Sequence, residues 1–174
     1  MKIQTSFPFS KATFLTVLLA AGLACSSSLF AKEFKLPNDE FPIASISIPA
    51  DWKPEAVEHG VEAQTEDGSF YLSVVAAGTV KGISADTDAT LEMLKEHKVK
   101  IDESSQKTGK GKVNEFDTES ITLKGKDEDG PCTITILLVT IKDKVVIVTY
   151  WFTDTELDKH SKEVEKIQNS LKGT

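Results

Sequence analysis

Two neighbouring segments near the C-terminus constrain the fold most, because both are apolar on either side of an extended chain. Residues 132–141 read CTITILLVTI and residues 145–152 read VVIVTYWF, with only three charged residues between them. Strands that are apolar on both faces need cover on both sides of their sheet. The short connection favours antiparallel pairing. The sequence therefore predicts that these segments are the central pair of a covered, mostly antiparallel sheet.

Strands are predicted on the N-terminal side at residues 44–48 and 69–77, and one more at residues 119–124, from runs of strand-forming residues with period-two alternation. Residues 57–65 are predicted to form a mostly polar strand with a bend at Gly60. Pro49 and Pro54 cannot donate ladder hydrogen bonds, so they end the first strand and force a corner. Trp52 lies between these prolines, and we expect its ring to cover one end of the core. Residues 102–112 show little periodicity and are predicted to form a flexible loop.

Two segments favour helices. Residues 86–97 begin with acidic residues and end with lysine, as the helix dipole prefers. Residues 154–172 place four apolar side chains on one face of a helix, at Leu157, Val164, Ile167 and Leu171. Gly173 follows them at the position of a C-cap glycine. The predicted order is βββαβββα. The fold class is α+β, a three-layer α/β/α sandwich around a mostly antiparallel sheet.

The N-terminus has the layout of a secretory signal peptide over residues 1–31. Lys2 and Lys11 precede an apolar run at residues 14–24, which is shorter than the about 20 residues that span a bilayer. Cleavage is expected after Ala31. A second interpretation is a lipoprotein that is cleaved before Cys25 and anchored to the membrane by its lipid, although Leu23 is displaced from the usual position. An extended lead-in at residues 32–43 and one globular domain at residues 44–172 would follow.

Charge and cysteine content exclude several classes of protein. Removing residues 1–31 takes away two lysines and no acid, so the formal net charge moves from −7 to −9, and the chain has no arginine. Such a surface disfavours nucleic acids and anionic lipids, so no nucleic-acid partner is expected, and membrane attachment would depend on Cys25. Cys132 alone remains after cleavage, so no internal disulfide can form.

No motif predicts catalysis or a cofactor. The three histidines, His59, His97 and His160, lack metal-ligand spacing and are predicted to be solvated surface residues. Asp127 with Asp129 lacks the rest of a calcium loop and indicates a charged hairpin tip. Cys132 has no base nearby in sequence and is predicted to be a buried thiol. We therefore expect no metal, no cofactor and no enzymatic activity.

A cluster of aromatic residues has two interpretations. Tyr150 and Trp151 lie where the last apolar segment ends. They can pack in the core beneath the helices, since aromatic side chains bury large areas. They can instead form, with Trp52 and Tyr71, the aromatic wall of a groove that binds a ligand or partner.

The order of four short motifs resembles the PsbP-like family, which includes Mog-type proteins and bacterial DcrB-type envelope proteins. These motifs are ISIPADW at residues 46–52, YLSV at 71–74, VTYWF at 148–152 and IQNSLK at 167–172. The resemblance covers residues 41–172. It implies an α/β/α sandwich and a non-enzymatic assembly factor, accessory subunit or binding protein. The chain lacks the recognisable His or Asp metal set of plant members, so no metal site is carried over.

These observations predict a secreted or periplasmic, non-catalytic accessory or assembly protein that binds another envelope protein. Two alternatives remain open. A carrier of small apolar ligands requires an enclosed apolar pocket of several hundred Å³. A hydrolase at the aromatic-lined end of the sheet requires a histidine within hydrogen-bond reach of a serine, cysteine or carboxylate in a cleft.

Overall fold

The computed structural model describes residues 31–77 and 83–174. Over these residues the chain forms ten β-strands and two α-helices. The strands are β1 (Ala31–Leu36), β2 (Ala44–Pro49), β3 (Glu55–Val57), β4 (Gly60–Gln64), β5 (Phe70–Ala77), β6 (Lys100–Val113), β7 (Phe116–Lys126), β8 (Pro131–Ile141), β9 (Lys144–Thr153) and β10 (Lys172–Gly173). The helices are α1 (Ile83–Glu96) and α2 (Leu157–Asn169), and short 3-10 turns occupy Ala50–Trp52 and Asp154–Glu156.

Seven strands form one sheet in the order β3-β4-β5-β9-β8-β7-β6, and every neighbouring pair is antiparallel. β9 is the middle strand and β8 is its neighbour, so the two apolar segments are central, as predicted. Their side chains alternate between two covered faces. The fold is therefore α+β with a mostly antiparallel sheet.

One face of this sheet is covered by a second sheet and a helix together. The strands β1, β2 and β10 form a three-stranded sheet in the order β1-β2-β10. Ile46 and Ile48 of β2 join Ile167 of α2 and the following Leu171 in one buried cluster with Phe70 of β5. The prediction of a helix alone on this face was incomplete, because the small sheet contributes much of the cover.

The opposite face carries α1. Leu94 of α1 is fully buried and packs in a cluster with Tyr71, Ile134 and Trp151 from three strands of the large sheet. Tyr71 and its alternate neighbours thus face α1, whereas Phe70 and its alternate neighbours face the small sheet and α2. Each sheet face is in contact with one helix.

Several predicted elements differ from the structure. Residues 32–43, expected as a lead-in, include most of β1, which pairs with β2 from Ala31↔Pro49 to Leu36↔Ala44. The segment 57–65 is divided by a tight turn at His59 (φ 66°) into β3 and β4. The segment 102–112 is not a loop but most of β6, paired with β7 around an irregularity after Asp102.

The end of the chain also differs from its prediction. Gly173 does not cap α2; it pairs with Ala44 in β10. The described chain therefore has five strands before α1, four between the helices and one after α2, not the order βββαβββα.

Interpretations that rest on residues 1–30, including the signal peptide and lipidation of Cys25, lie outside the described residues. Within residues 31–77 and 83–174, neither helix has the length and apolar character needed to cross a membrane.

Candidate functional site

The four aromatic residues that the sequence singled out lie on opposite faces of the large sheet. Tyr71 and Trp151 are cross-strand partners that stack beside α1, with ring centroids 4.0 Å apart. Trp52 and Tyr150 lie on the other face, where both contact Phe70. Trp52, Tyr71 and Trp151 are buried, and Tyr150 is partly buried. The four residues therefore do not form one wall, and their part in binding stays a prediction.

His160 lies in a buried polar cluster that the sequence did not predict. The first turn of α2 places its imidazole against Trp52 and Phe70, and His160 is only 6% exposed. The prediction of a solvated surface histidine was wrong for this residue. It fails because the turn after β2 and the start of β5 pack around the helix start.

The imidazole of His160 has a polar partner at each nitrogen. Nε2 lies 3.3 Å from Oγ of Ser69, at the end of the β4–β5 turn. Nδ1 lies 3.3 Å from Oε2 of Glu163, one turn further along α2. The histidine thus lies between a serine and a carboxylate, as it does in the catalytic triad of nucleophilic hydrolases. This is the arrangement that the hydrolase alternative requires.

The proton of the Ser69 hydroxyl, however, is donated elsewhere. Oγ of Ser69 lies 2.6 Å from Oδ1 of Asp67, which also accepts bonds from Oγ1 of Thr65 (2.8 Å) and the Ser69 amide (3.1 Å). The ion-pairing Lys159 ammonium, with Ser69 and Thr65, holds the pKa of Asp67 far below its usual range, so this carboxylate is an acceptor only. Ser69 has one hydroxyl proton, and Ser69 donates it in the hydrogen bond to Asp67 and not to His160. The geometry does not prepare Ser69 as a nucleophile.

Two open clefts flank the β4–β5 turn. One, of about 390 Å³, runs beside His160, and the other, of about 480 Å³, runs beside Tyr71. Charged and polar side chains line most of both clefts, including Glu66 and Asp67, which they share. Neither cleft is the enclosed apolar pocket that the carrier alternative requires.

A third cleft, of about 440 Å³, lies at the other end of the molecule and is mainly apolar. Its walls are Pro37, Phe41, Ile43, His59, Ala76, Ala77 and Lys144. Phe41 stands at this cleft with 70% of its surface exposed, and no other large hydrophobic residue is exposed among those whose burial the structure describes. An exposed aromatic ring beside an apolar cleft is typical of an interaction site.

The loop that carries Phe41 is held by hydrogen bonds. Oδ1 of Asn38 accepts bonds from the amides of Glu40 and Phe41, both at 3.0 Å. The C-terminal Thr174 donates from its amide to Ile43 and from its hydroxyl to Pro42. The ring is therefore presented on a fixed loop. The sequence placed Phe41 within the extended lead-in at residues 32–43, and only its contrast with the charged residues around it could have indicated a role.

The other candidate residues are as expected or have structural roles. Cys132 is a buried free thiol, and burial raises its pKa to about 12, which opposes thiolate formation. Asp127 accepts bonds from the amides of Asp129 and Gly130 and so shapes the β7–β8 turn. His97 is exposed and lies beside the rings of Tyr71 and Trp151.

Comparison with known proteins relates the chain to others by structure. No family model matches the sequence, and a comparison with curated proteins gives no match. Cyanobacterial PsbP (CyanoP) from Synechocystis has a TM-score of 0.55 and 11% sequence identity, over 90% of this chain and 99% of that protein. A protein from Bacteroides thetaiotaomicron has a TM-score of 0.54 and 18% identity, over 83% of this chain and 48% of that protein.

A third structure is more distant. LpqN from Mycobacterium tuberculosis, a protein involved in cell envelope biogenesis, has a TM-score of 0.48 and 14% identity, over 82% of this chain and 91% of LpqN. The CyanoP comparison spans nearly all of both chains. The chain therefore has the PsbP-like fold, as the four motifs predicted.

Proposed function

We propose that this chain is an exported, non-catalytic accessory protein of the cell envelope that binds another envelope protein through the cleft at Phe41. The signal-peptide pattern of residues 1–31 supports export. The PsbP-like fold supports an accessory role by analogy. Its body is a three-layer α/β/α sandwich in which the small sheet belongs to the α2 layer. Cleavage after Ala31 releases it, and lipidation of Cys25 is the alternative that anchors it.

The exposure of Phe41 carries the proposal. Burying a phenylalanine side chain contributes about 1.5–3 kcal/mol, and this ring has no cover of its own. Its loop is fixed by Asn38 and Thr174, so binding orders little additional chain. The apolar side chains around it, Ile43, Ala76 and Ala77, offer a pocket to an apolar side chain of the partner.

The proposed non-catalytic role is supported by the hydrogen bond from Ser69 to Asp67. The Ser69–His160–Glu163 arrangement, which resembles a catalytic triad, directs its serine proton to Asp67 and not to His160. Lys159, which lines the cleft beside His160, has its ammonium paired with Asp67 and Glu156. Binding is the function that these clefts support.

Site-specific photo-crosslinking tests the proposal. A benzophenone analogue of phenylalanine replaces Phe41 in producing cells, and the same analogue replaces the exposed Asp129 as the control. We expect an envelope protein in the Phe41 adduct that is missing from the Asp129 adduct. The captured protein is then purified, and Phe41→Ala should weaken its binding by about 30-fold, as expected of an interface hot spot. Equal adducts at both positions, or equal affinity of Phe41→Ala, would exclude this site.

The carrier alternative is favoured by one observation, the mainly apolar walls of the same cleft. A fluorescent apolar probe such as N-phenylnaphthylamine distinguishes the two functions. If the protein is a carrier, the fluorescence of the probe rises with protein concentration until the sites are saturated, and Phe41→Ala weakens that binding. A protein-binding surface that is open to solvent leaves the fluorescence of the probe unchanged.

A further inference from the structure

The β4–β5 turn and the start of α2 bring together three side chains that can ligate a metal. Asp67 lies in the turn, Glu156 directly precedes α2 and His160 lies in the first turn of the helix. Each offers one ligand atom, and these atoms lie within 4.8 Å of one another. No spacing in the sequence predicted this group, because 89 residues separate Asp67 from Glu156.

We propose that Asp67, Glu156 and His160 bind a zinc ion, with solvent at the fourth position. One imidazole nitrogen and two carboxylate oxygens are ligands that zinc accepts, and three protein ligands with one open position form a common zinc geometry. Asp67 and His160 line the cleft beside His160, so the ion and its water have access from solvent. This site is separate from the cleft at Phe41 and does not depend on a partner there.

Two of the ligands are already oriented by neighbouring side chains. Three donors, from Thr65 and Ser69, hold Oδ1 of Asp67 and leave Oδ2 directed outward. The carboxylate of Glu163 lies 3.3 Å from Nδ1 of His160, which leaves Nε2 as the nitrogen on the Ser69 side. A carboxylate at the second nitrogen is the usual support of a metal-bound histidine, because it fixes the tautomer and the ring orientation.

The position between the two carboxylates already attracts a cation. Nζ of Lys159 lies 2.6 Å from Oδ2 of Asp67 and 3.3 Å from Oε2 of Glu156. The Lys159 side chain is 55% exposed, so it can turn into solvent and leave both oxygens free. Lys159 is therefore the internal competitor of the metal.

The structural change on binding is small. Zinc bonds of about 2.0–2.2 Å place tetrahedral ligands about 3.4 Å apart, so the ligand atoms must approach by about an ångström. The side chain of Glu156 makes no capping bond to the helix start, so once Lys159 has turned into solvent it can supply most of that movement. His160, fixed between Trp52 and Phe70, stays in place.

Zinc titration by calorimetry tests the site on the full, untagged chain after removal of metals by a chelator. We expect one zinc ion per chain, and Glu156→Gln, at a residue outside the core, should abolish that binding without unfolding the protein. Glu163→Gln should weaken binding by about tenfold through loss of the supporting carboxylate. Lys159→Met should tighten it by about tenfold, because it removes the competing charge. Asp129→Asn, at the β7–β8 turn, is the matched acidic control and should leave the affinity unchanged.

Imidazole resonances in NMR give a second measurement. Zinc should shift the signals of His160 and leave those of His59 and His97 in place. Circular dichroism confirms that each variant is folded. Affinity that is unchanged by Glu156→Gln, or no tightening with Lys159→Met, or zinc shifts at His59 instead of His160, would each overturn the proposal.

Discussion

The imidazole ring of His160 meets the indole ring of Trp52 edge-on, with ring centroids 5.9 Å apart and ring planes at 90°. Phe70 adds a third ring, 5.0 Å from Trp52 and 5.8 Å from His160. These rings join the turn after β2, the start of β5 and the first turn of α2, which are far apart in sequence. The cluster closes one end of the main core. Its histidine also contacts the polar side chains of Ser69 and Glu163.

Trp52→Ala should therefore destabilise the protein strongly. Trp52 is 2% exposed, and truncating a buried aromatic residue typically costs about 3–5 kcal/mol of unfolding free energy. Urea unfolding followed by far-UV circular dichroism measures the loss. Phe41→Ala is the control: its ring is exposed, so it should change the free energy by less than about 0.5 kcal/mol. Similar losses in the two variants would show that Trp52 does not anchor this end of the core.

Ser69 should not react as a nucleophile. Because its hydroxyl donates to Asp67, incubation with a fluorophosphonate should add no mass to the protein, while a serine hydrolase treated in parallel is labelled completely. Intact-protein mass spectrometry measures the adduct. Labelling at Ser69 that disappears in His160→Gln would instead establish the serine–histidine pair as catalytic and would refute the non-catalytic function.

The strands that the sequence predicted most clearly are those that are buried on both faces. β5, β8 and β9 alternate between two covered faces, so hydrophobicity alone locates them. β6 was missed because it is an edge strand whose side chains are exposed on both faces, and its sequence therefore carries no apolar alternation. β1 carried a signal, the alternation of buried Phe34 and Leu36, that the neighbouring charges and Pro37 obscured.

The candidate site was less predictable than the fold because its members come from distant parts of the chain. Trp52 could be placed at the end of the core because Pro49 and Pro54 fix the corner locally. His160 could not be placed, since its partner Ser69 lies 91 residues away. The local neighbours of His160 in sequence, Asp158, Lys159 and Ser161, indicate an exposed helix. Only the packing of α2 on the β4–β5 turn reveals the group of Asp67, Glu156 and His160.

Gly60→Ala should destabilise the fold, whereas Gly111→Ala should not. A Cβ at Gly60 would lie 2.1 Å from the carbonyl oxygen of Val74 and 2.8 Å from Cα of Val75, so the backbone of β4 or β5 must move. Overpacking of this kind costs about 1–3 kcal/mol and sometimes more. A Cβ at Gly111 meets only Oγ1 of Thr118, at an ordinary 3.5 Å. Thermal melts of the two variants give the comparison, and a Gly60→Ala protein as stable as Gly111→Ala would contradict the close approach of β4 and β5.

Asp154 should contribute stability that disappears in acid. Its Oδ1 accepts a 2.5 Å bond from Oγ1 of Thr133, and its Oδ2 lies 3.1 Å from Nζ of Lys124. The Thr133 hydrogen bond first, and then Lys124, hold the pKa of Asp154 below its ordinary value. Because the pKa is lower in the folded than in the unfolded protein, the stabilisation is complete above the unfolded pKa of about 3.9 and is lost as the pH falls through the folded value.

Thermal melts between about pH 7 and pH 3 measure this dependence by comparing the wild type with Asp154→Asn. At neutral pH the substitution should cost about 1 kcal/mol or less, since the carboxylate is 37% exposed and solvent screens the pair. The difference should shrink as the pH falls below about 4, because protonation removes the charge from the wild-type side chain. Thr133→Val, which removes the main donor, should leave a smaller dependence on pH in the same comparison. A difference that grows on acidification would mean that the folded pKa of Asp154 is raised, and would refute its assigned hydrogen bonds.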